Sequence, residues 1–325
     1  SLLFGCGSDR LNVDISDVKV DINFVNLDSI FVNSDSLGFI KHHEYLKKNA
    51  EDIYNYEIGY CLKFGDVSGA KTYESVQVFL QDKYISRLEK EIGNSFSNSK
   101  LIESEIKIVD GIKHLKYHLP KQKMPSYVLM MNSLFTSNVF CTEENIAVGM
   151  ERYLGADAEV IKELPEDKIY AWIKVAMNAV YLERDVLAGW ISTNIVEESD
   201  GNMADQIIRW GKVLYLTEAC FPTVDKNIII RYSPKDYTWA TENEYSFWKY
   251  LVNEKMLFKT EELHIMNIIK EGPFTPGLPE KGPDRLGQYL GWQMVRQYMD
   301  NNPEITFEQL LTVPYNNILQ NYEID

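Results

Sequence analysis

The chain has 325 residues, with 33 Lys and Arg against 48 Asp and Glu, and so carries a net charge of −15. Hydrophobic residues make up 45% and charged residues 25%, the balance of a globular chain able to bury a core without disulfides or structural metal. The acidic balance argues against nucleic acid and anionic lipid surfaces as partners, and no run reaches the roughly 18 apolar residues of a membrane span.

The chain opens Ser1-Leu-Leu-Phe-Gly-Cys6-Gly-Ser8. Leu3-Phe-Gly-Cys6 resembles a bacterial lipobox, in which small residues flank the scissile bond and the new N-terminal cysteine is acylated. On that reading residues 1–17 are a lipidated terminus and polar tether anchored through Cys6. The other cysteines, Cys61, Cys141 and Cys220, stand far apart beside apolar or aromatic residues and read as buried thiols.

Val18, Val20, Ile22 and Phe24 alternate with polar residues, the period of a half-buried strand. Helical spacing follows over Leu37–Leu62, Val76–Ile92 and Leu101–Leu119, the last stopped by Pro120. Tyr127–Met131, Asn138–Thr142 and Asn145–Met150 are short β-rich runs, expected to form a small meander. Helices return over Ile169–Ile195 and Met203–Leu216. Thr241-Glu-Asn-Glu244 and Thr306-Phe-Glu-Gln309 both have the spacing of capping boxes. Gly272–Pro283, with seven Gly or Pro in twelve residues, is loop, and Asp284 opens a strong helix that ends at Asn301-Asn302-Pro303. The fold expected is α+β and mostly helical. It is one compact unit over 18–325, with a strand-containing lobe at about 18–165 and a helical lobe at about 166–325.

No nucleophile elbow, phosphate loop or H-E-x-x-H motif occurs. His114 and His118 stand at i and i+4, a metal-ligand spacing, without a nearby third ligand. They also sit near a helix C-terminus, where the dipole favours partial positive charge. Glu183-Arg184-Asp185 is a charged triplet inside an otherwise apolar helix, which calls for internal ion pairing or a polar cavity. Gly287 and Gly291, one turn apart, read as a device for close helix packing.

Several segments together carry a resemblance: Ile146-Ala-Val-Gly-Met-Glu-Arg-Tyr-Leu-Gly155, Gly211–Leu216, Phe221-Pro222, Tyr237-Thr-Trp239, Asn243–Trp248 and Asp284-Arg-Leu-Gly-Gln-Tyr-Leu-Gly-Trp-Gln-Met-Val-Arg-Gln-Tyr-Met299. In this order the chain resembles the gliding motility-associated lipoprotein GldB family of Bacteroidetes over roughly 18–325. That family is similar in layout to a larger group of zinc-peptidase-like proteins. The resemblance implies a zincin-like, degenerate metallopeptidase scaffold. Glu183 stands where the acid of the metal helix is expected, but Leu182 and Val186 occupy both histidine positions, and Trp210-Gly211-Lys212 the place of a third ligand. It therefore implies no metal, no cofactor and no catalytic residue. It leaves a former cleft lined by Glu183, Arg184, Trp190, Tyr289 and Trp292.

The function expected is that of a non-catalytic lipoprotein of the cell envelope, held to a bacterial membrane by lipid on Cys6 and joined to envelope proteins of a motility or secretion assembly. The alternatives are a metal-dependent hydrolase with unusual ligands, drawing on His114, His118 and Glu183, and a glycan- or peptide-binding module using the 6 Trp and 20 Tyr.

Overall fold

The computed structural model describes residues 10–64, 69–278 and 282–324. They fall into two compact units interleaved along the chain. One comprises Val20–Val109 and Lys123–Trp190. The other comprises the stretch up to Lys19, Asp110–Gln122 and Ile191–Asp325. The chain thus does not change unit at a single boundary near 165.

The first unit holds a four-stranded sheet: β1 (Asn23–Asn26), β2 (Tyr127–Met131), β3 (Val139–Cys141) and β4 (Asn145–Gly149), in the order β1-β2-β4-β3. β1–β2 and β2–β4 are parallel, with Phe24 opposite Val128 and Leu129 opposite Ala147. Only β3 runs antiparallel, to β4. β2 and β4 are buried along their whole length, which explains their continuous apolar runs. The helices of this unit are α1 (Leu27–Asn33), α2 (Ser36–Asn49), α3 (Glu51–Asn55), α4 (Gly69–Leu80), α5 (Lys83–Ser95), α6 (Asn98–His118), α7 (Glu159–Lys162), α8 (Ala171–Ala176) and α9 (Leu182–Asn194). The ends of α6 and α9 count with the other unit. α5 shows how sequence makes such an element. Asp82 caps it by accepting from the amides of Tyr84 and Ile85, and Ile85, Leu88 and Ile92 form its buried stripe.

The second unit is helical: α10 (Met203–Cys220), α11 (Lys226–Ile230), α12 (Pro234–Glu242), α13 (Glu244–Asn253), α14 (Glu262–Ile269), α15 (Leu286–Asn301), α16 (Phe307–Thr312) and α17 (Tyr315–Gln320). α10 and α15 cross backbone to backbone at glycine. A Cβ on Gly291 would lie 1.9 Å from the Ile207 carbonyl oxygen, and one on Gly211 would lie 2.2 Å from that of Gly291. Any side chain at either position would prise the two central helices apart. The Gly287–Gly291 spacing is therefore a packing device.

The sequence expectations need five local corrections. The β-rich runs make a parallel-centred sheet, not a meander, because β1 inserts beside β2 from about a hundred residues upstream. Within Val18–Phe24 only Asn23 and Phe24 pair, and β1 continues to Asn26. The helix expected over Leu37–Leu62 breaks at Ala50 (φ −147°) and ends as a π-helix over Tyr56–Cys61. The one expected over Ile169–Ile195 splits into α8, a 3-10 turn at Ala179–Tyr181 and α9. Thr241 caps nothing: it lies inside α12, with its hydroxyl bonded to the Tyr237 carbonyl. The Thr306–Gln309 box forms with both reciprocal bonds.

Candidate functional site

Cys6 lies outside the described residues. Glu183, in the first turn of α9, accepts a hydrogen bond from the Ser104 hydroxyl at 2.8 Å, and the Lys107 ammonium stands 4.0 Å away. Arg184 pairs with Asp185 at 3.0 Å, and the other Asp185 oxygen accepts from the Tyr153 hydroxyl. The triplet is thus internally paired. Leu182 and Val186, on either side of it, are buried. Trp190 is fully buried, and its indole N–H has no hydrogen-bond partner.

Tyr289 and Trp292 belong to the helical unit. The Tyr289 hydroxyl donates to Glu244 at 2.8 Å, and the Trp292 indole N–H to Glu218 at 2.7 Å. Both rings are buried. Glu218 also takes the Lys226 ammonium and, at 3.5 Å, the Arg296 guanidinium. His114 and His118 are buried in the same unit. His118 stacks on Phe307 with ring centroids 4.0 Å apart, and burial pushes its pKa down to about 4. Among the described residues, no three His, Cys, Asp or Glu side chains are placed to hold one metal ion.

A different constellation stands at the carboxyl edge of the parallel strands, the edge where open α/β sheets carry their ligands. Asp28 follows β1, Asn132 and Ser133 follow β2, and Glu151 follows β4. Glu89 on α5 and Glu57 in the π-helix complete it. All four carboxyls are buried: Asp28 at 7% exposure, Glu89 at 9%, Glu57 and Glu151 at 0%. Asn132 joins two of them. Its backbone N–H donates to Asp28 Oδ1 at 2.9 Å and its amide N–H to Glu89 Oε1 at 2.8 Å. Glu151 takes three donors: the Ser133 hydroxyl at 2.6 Å and the amides of Phe135 and Ser133 at 2.7 and 3.1 Å.

The loop that supplies these amides runs through left-handed backbone at Leu134 and Phe135 (φ 51° and 62°), a costly conformation for such side chains. Gly149 is required beneath it, since a Cβ there would lie 2.3 Å from the Ser137 carbonyl and 2.6 Å from the Ser133 hydroxyl. Neither oxygen of Glu57 has a hydrogen-bond partner of ordinary geometry, and the weakly donating Cys61 thiol beside it only partly offsets the cost of its burial.

Desolvation comes first among the causes that raise all four pKa values. The neighbouring carboxyl Glu89 adds to it for Asp28, and Glu151 adds to it for Glu57 and Glu89. Glu89 is lifted to about 7, against the pull of its Asn132 bond. No Lys, Arg or His nitrogen of the described residues pairs with any of the four. A cavity of about 380 Å³ opens onto Asp28 and Glu89.

Little in the sequence points to this cluster. Glu89 carried a signal, since it falls on the apolar stripe of α5 between Ile85 and Ile92. Glu57 carried one too, between Tyr54, Ile58 and Cys61. Asp28 and Glu151 carried none, because their burial follows from strand order.

The family described as Gliding motility protein GldB matches residues 8–323. No curated protein matches the chain, and no solved structure does. The match spans both units and takes in α9, α15 and the carboxyl cluster alike. The chain belongs to the GldB family.

Proposed function

We propose that the protein is a non-catalytic component of a gliding-motility or secretion-related assembly of the cell envelope, held to a membrane by lipid on Cys6. Membership of the GldB family, whose description names gliding motility, supports the motility role. The surroundings of Glu183 are the observation that carries the non-catalytic part. Its neighbours Leu182 and Val186 are buried apolar residues where a metallopeptidase helix would present imidazoles, and its carboxylate is held by Ser104. No helix of the described residues is long and apolar enough to cross a membrane, so a lipid anchor would supply the attachment.

Complementation in a gliding bacterium lacking the protein tests this reading. Cys6→Ala behind an intact signal peptide should move the protein out of the membrane fraction and abolish spreading, whereas Glu183→Gln should leave spreading intact. Loss of spreading with Glu183→Gln in a folded protein, together with a stoichiometric metal in the purified wild type, would instead establish the hydrolase alternative.

A further inference from the structure

A cavity of about 800 Å³ lies within the helical unit, between α10 and α14. Both helices pack on the first turn of α15, where Gly287 lets them close in. A Cβ there would lie 2.9 Å from the Ile268 carbonyl oxygen of α14 and 3.4 Å from Ile207 Cγ1 of α10. Beside that contact the two helices leave a groove. Trp210 of α10 forms one wall, and Ile265, Met266 and Ile269 of α14 the other. Leu263 precedes Met266 by one turn and is 72% exposed, so the apolar surface of α14 continues outward into solvent.

The floor carries an unanswered acceptor. Gln288 of α15 lines the groove and is only 8% exposed. Its Nε2 donates to the Ile269 carbonyl at 2.8 Å, and its Oε1 receives no hydrogen bond. An amide oxygen so deeply placed is costly without a donor, and the groove is the side from which one can come.

The free charges stand at the rim and are mostly of one sign. Glu198, Asp200 and Glu262 line the opening, are exposed and form no ion pair with the described residues. Glu271, the fourth lining acid, is balanced by Arg231 and Arg285. Of the two lining cations, Arg209 is spent on the Ser192 and Glu197 carbonyls at 2.9 Å each and lies over the Trp210 ring, which leaves Lys270 alone. An apolar centre inside a charged, solvated rim is the layout of a protein interface, whereas a small-molecule pocket gathers its polar groups around the ligand. The excess of negative charge sets the sign of the partner.

We infer that this groove receives a segment of a partner protein: a large apolar side chain seated between Trp210 and Met266, Lys or Arg beside it meeting the acidic rim, and an N–H of the segment bonded to Gln288 Oε1. This rests on the assembly reading only in taking the occupant to be a partner protein.

Selection from a phage-displayed library of randomised peptides, against the whole purified protein, tests the groove. The selected peptides should pair a large apolar residue with Lys or Arg, and one of them, synthesised with a fluorescein label, should bind saturably by fluorescence polarisation. Trp210→Ala should weaken that binding by about thirtyfold, as for a central interface anchor. Asp200→Lys and Glu262→Lys change exposed residues and guard against a folding artefact. Together they should weaken binding by about tenfold and flatten its dependence on salt.

No enrichment over a selection without the protein would overturn the site. So would selected peptides that are acidic, or that bind Trp210→Ala and the folded charge-reversed protein as tightly as the wild type. A dimer in solution that Glu262→Lys breaks would give the groove to a second copy of the chain and overturn the assignment equally. These are measurements of binding in solution, so their failure would leave the motility role standing, and failure of the spreading assay would leave the groove standing.

Discussion

Each unit buries carboxyl groups, and the two treat them in opposite ways. In the helical unit Glu218, 1% exposed, receives the Lys226 ammonium, the Arg296 guanidinium and the Trp292 indole N–H. Its two cations keep about a third of their side-chain surface in solvent (33% and 31%), so of the charged groups only Glu218 is fully desolvated. In the sheet unit Asp28, Glu57, Glu89 and Glu151 are buried together, with neutral donors for three of them and none of ordinary geometry for Glu57. The first arrangement surrounds one carboxyl with two cations and an indole N–H. The second favours neutral carboxyls, since desolvation raises all four. The first balances its charge within the unit, and the second is tolerated by keeping its acids neutral.

Mutation should separate the two most widely at Glu218. Glu218→Ala removes the common acceptor of two cations and an indole and opens space in the core. It should cost about 3 kcal/mol in urea unfolding. A loss well under 1 kcal/mol would mean that Glu218 does not organise the helical unit.

The next effect is on pH. Glu89 has a folded pKa of about 7 against an ordinary value of 4.5, and the other three carboxyls are raised too. A carboxyl raised on folding is better tolerated protonated. Its favourable contribution is complete below the unfolded pKa and is lost as pH rises through the folded one. For Glu89 that window runs from about 4.5 to about 7, and the loss is on the order of 3 kcal/mol. Thermal unfolding of the sheet unit should therefore weaken from pH 5 to pH 8, and Glu89→Gln should flatten the trend. A wild-type melting temperature that rises over this range would contradict the neutral state of the cluster.

The smallest effect, opposite in sign to that of Glu218, belongs to Glu57. Glu57→Met keeps the length of the side chain and removes two buried oxygens that lack donors of ordinary geometry. It should stabilise the protein by about 1 kcal/mol at neutral pH. Destabilisation instead would show that the carboxyl is held by an interaction stronger than packing.

Local chemistry made part of this legible in advance. The spacing of Ile85, Leu88 and Ile92 marks α5, the Thr306–Gln309 box forms as its residues require, and Gly287 and Gly291 announce close packing. Where a helix changes character within a few residues, the pattern failed. The π-helix at Tyr56–Cys61 keeps the same apolar residues while shifting which of them face inward. Thr241 fits a capping box by spacing, yet the chain is already helical there from Pro234, behind the Ser233 cap.

The sequence by itself determined what depends on neighbours along the chain: helix periods, caps, turns, overall charge and the order of motifs that marks the family. Tertiary structure alone decided which charges are buried. Asp28 and Glu151 are 123 residues apart and meet because β1, β2 and β4 run parallel and end at the same edge. Burial is set by pairing between distant strands, and no local pattern of side chains encodes a partner that far away.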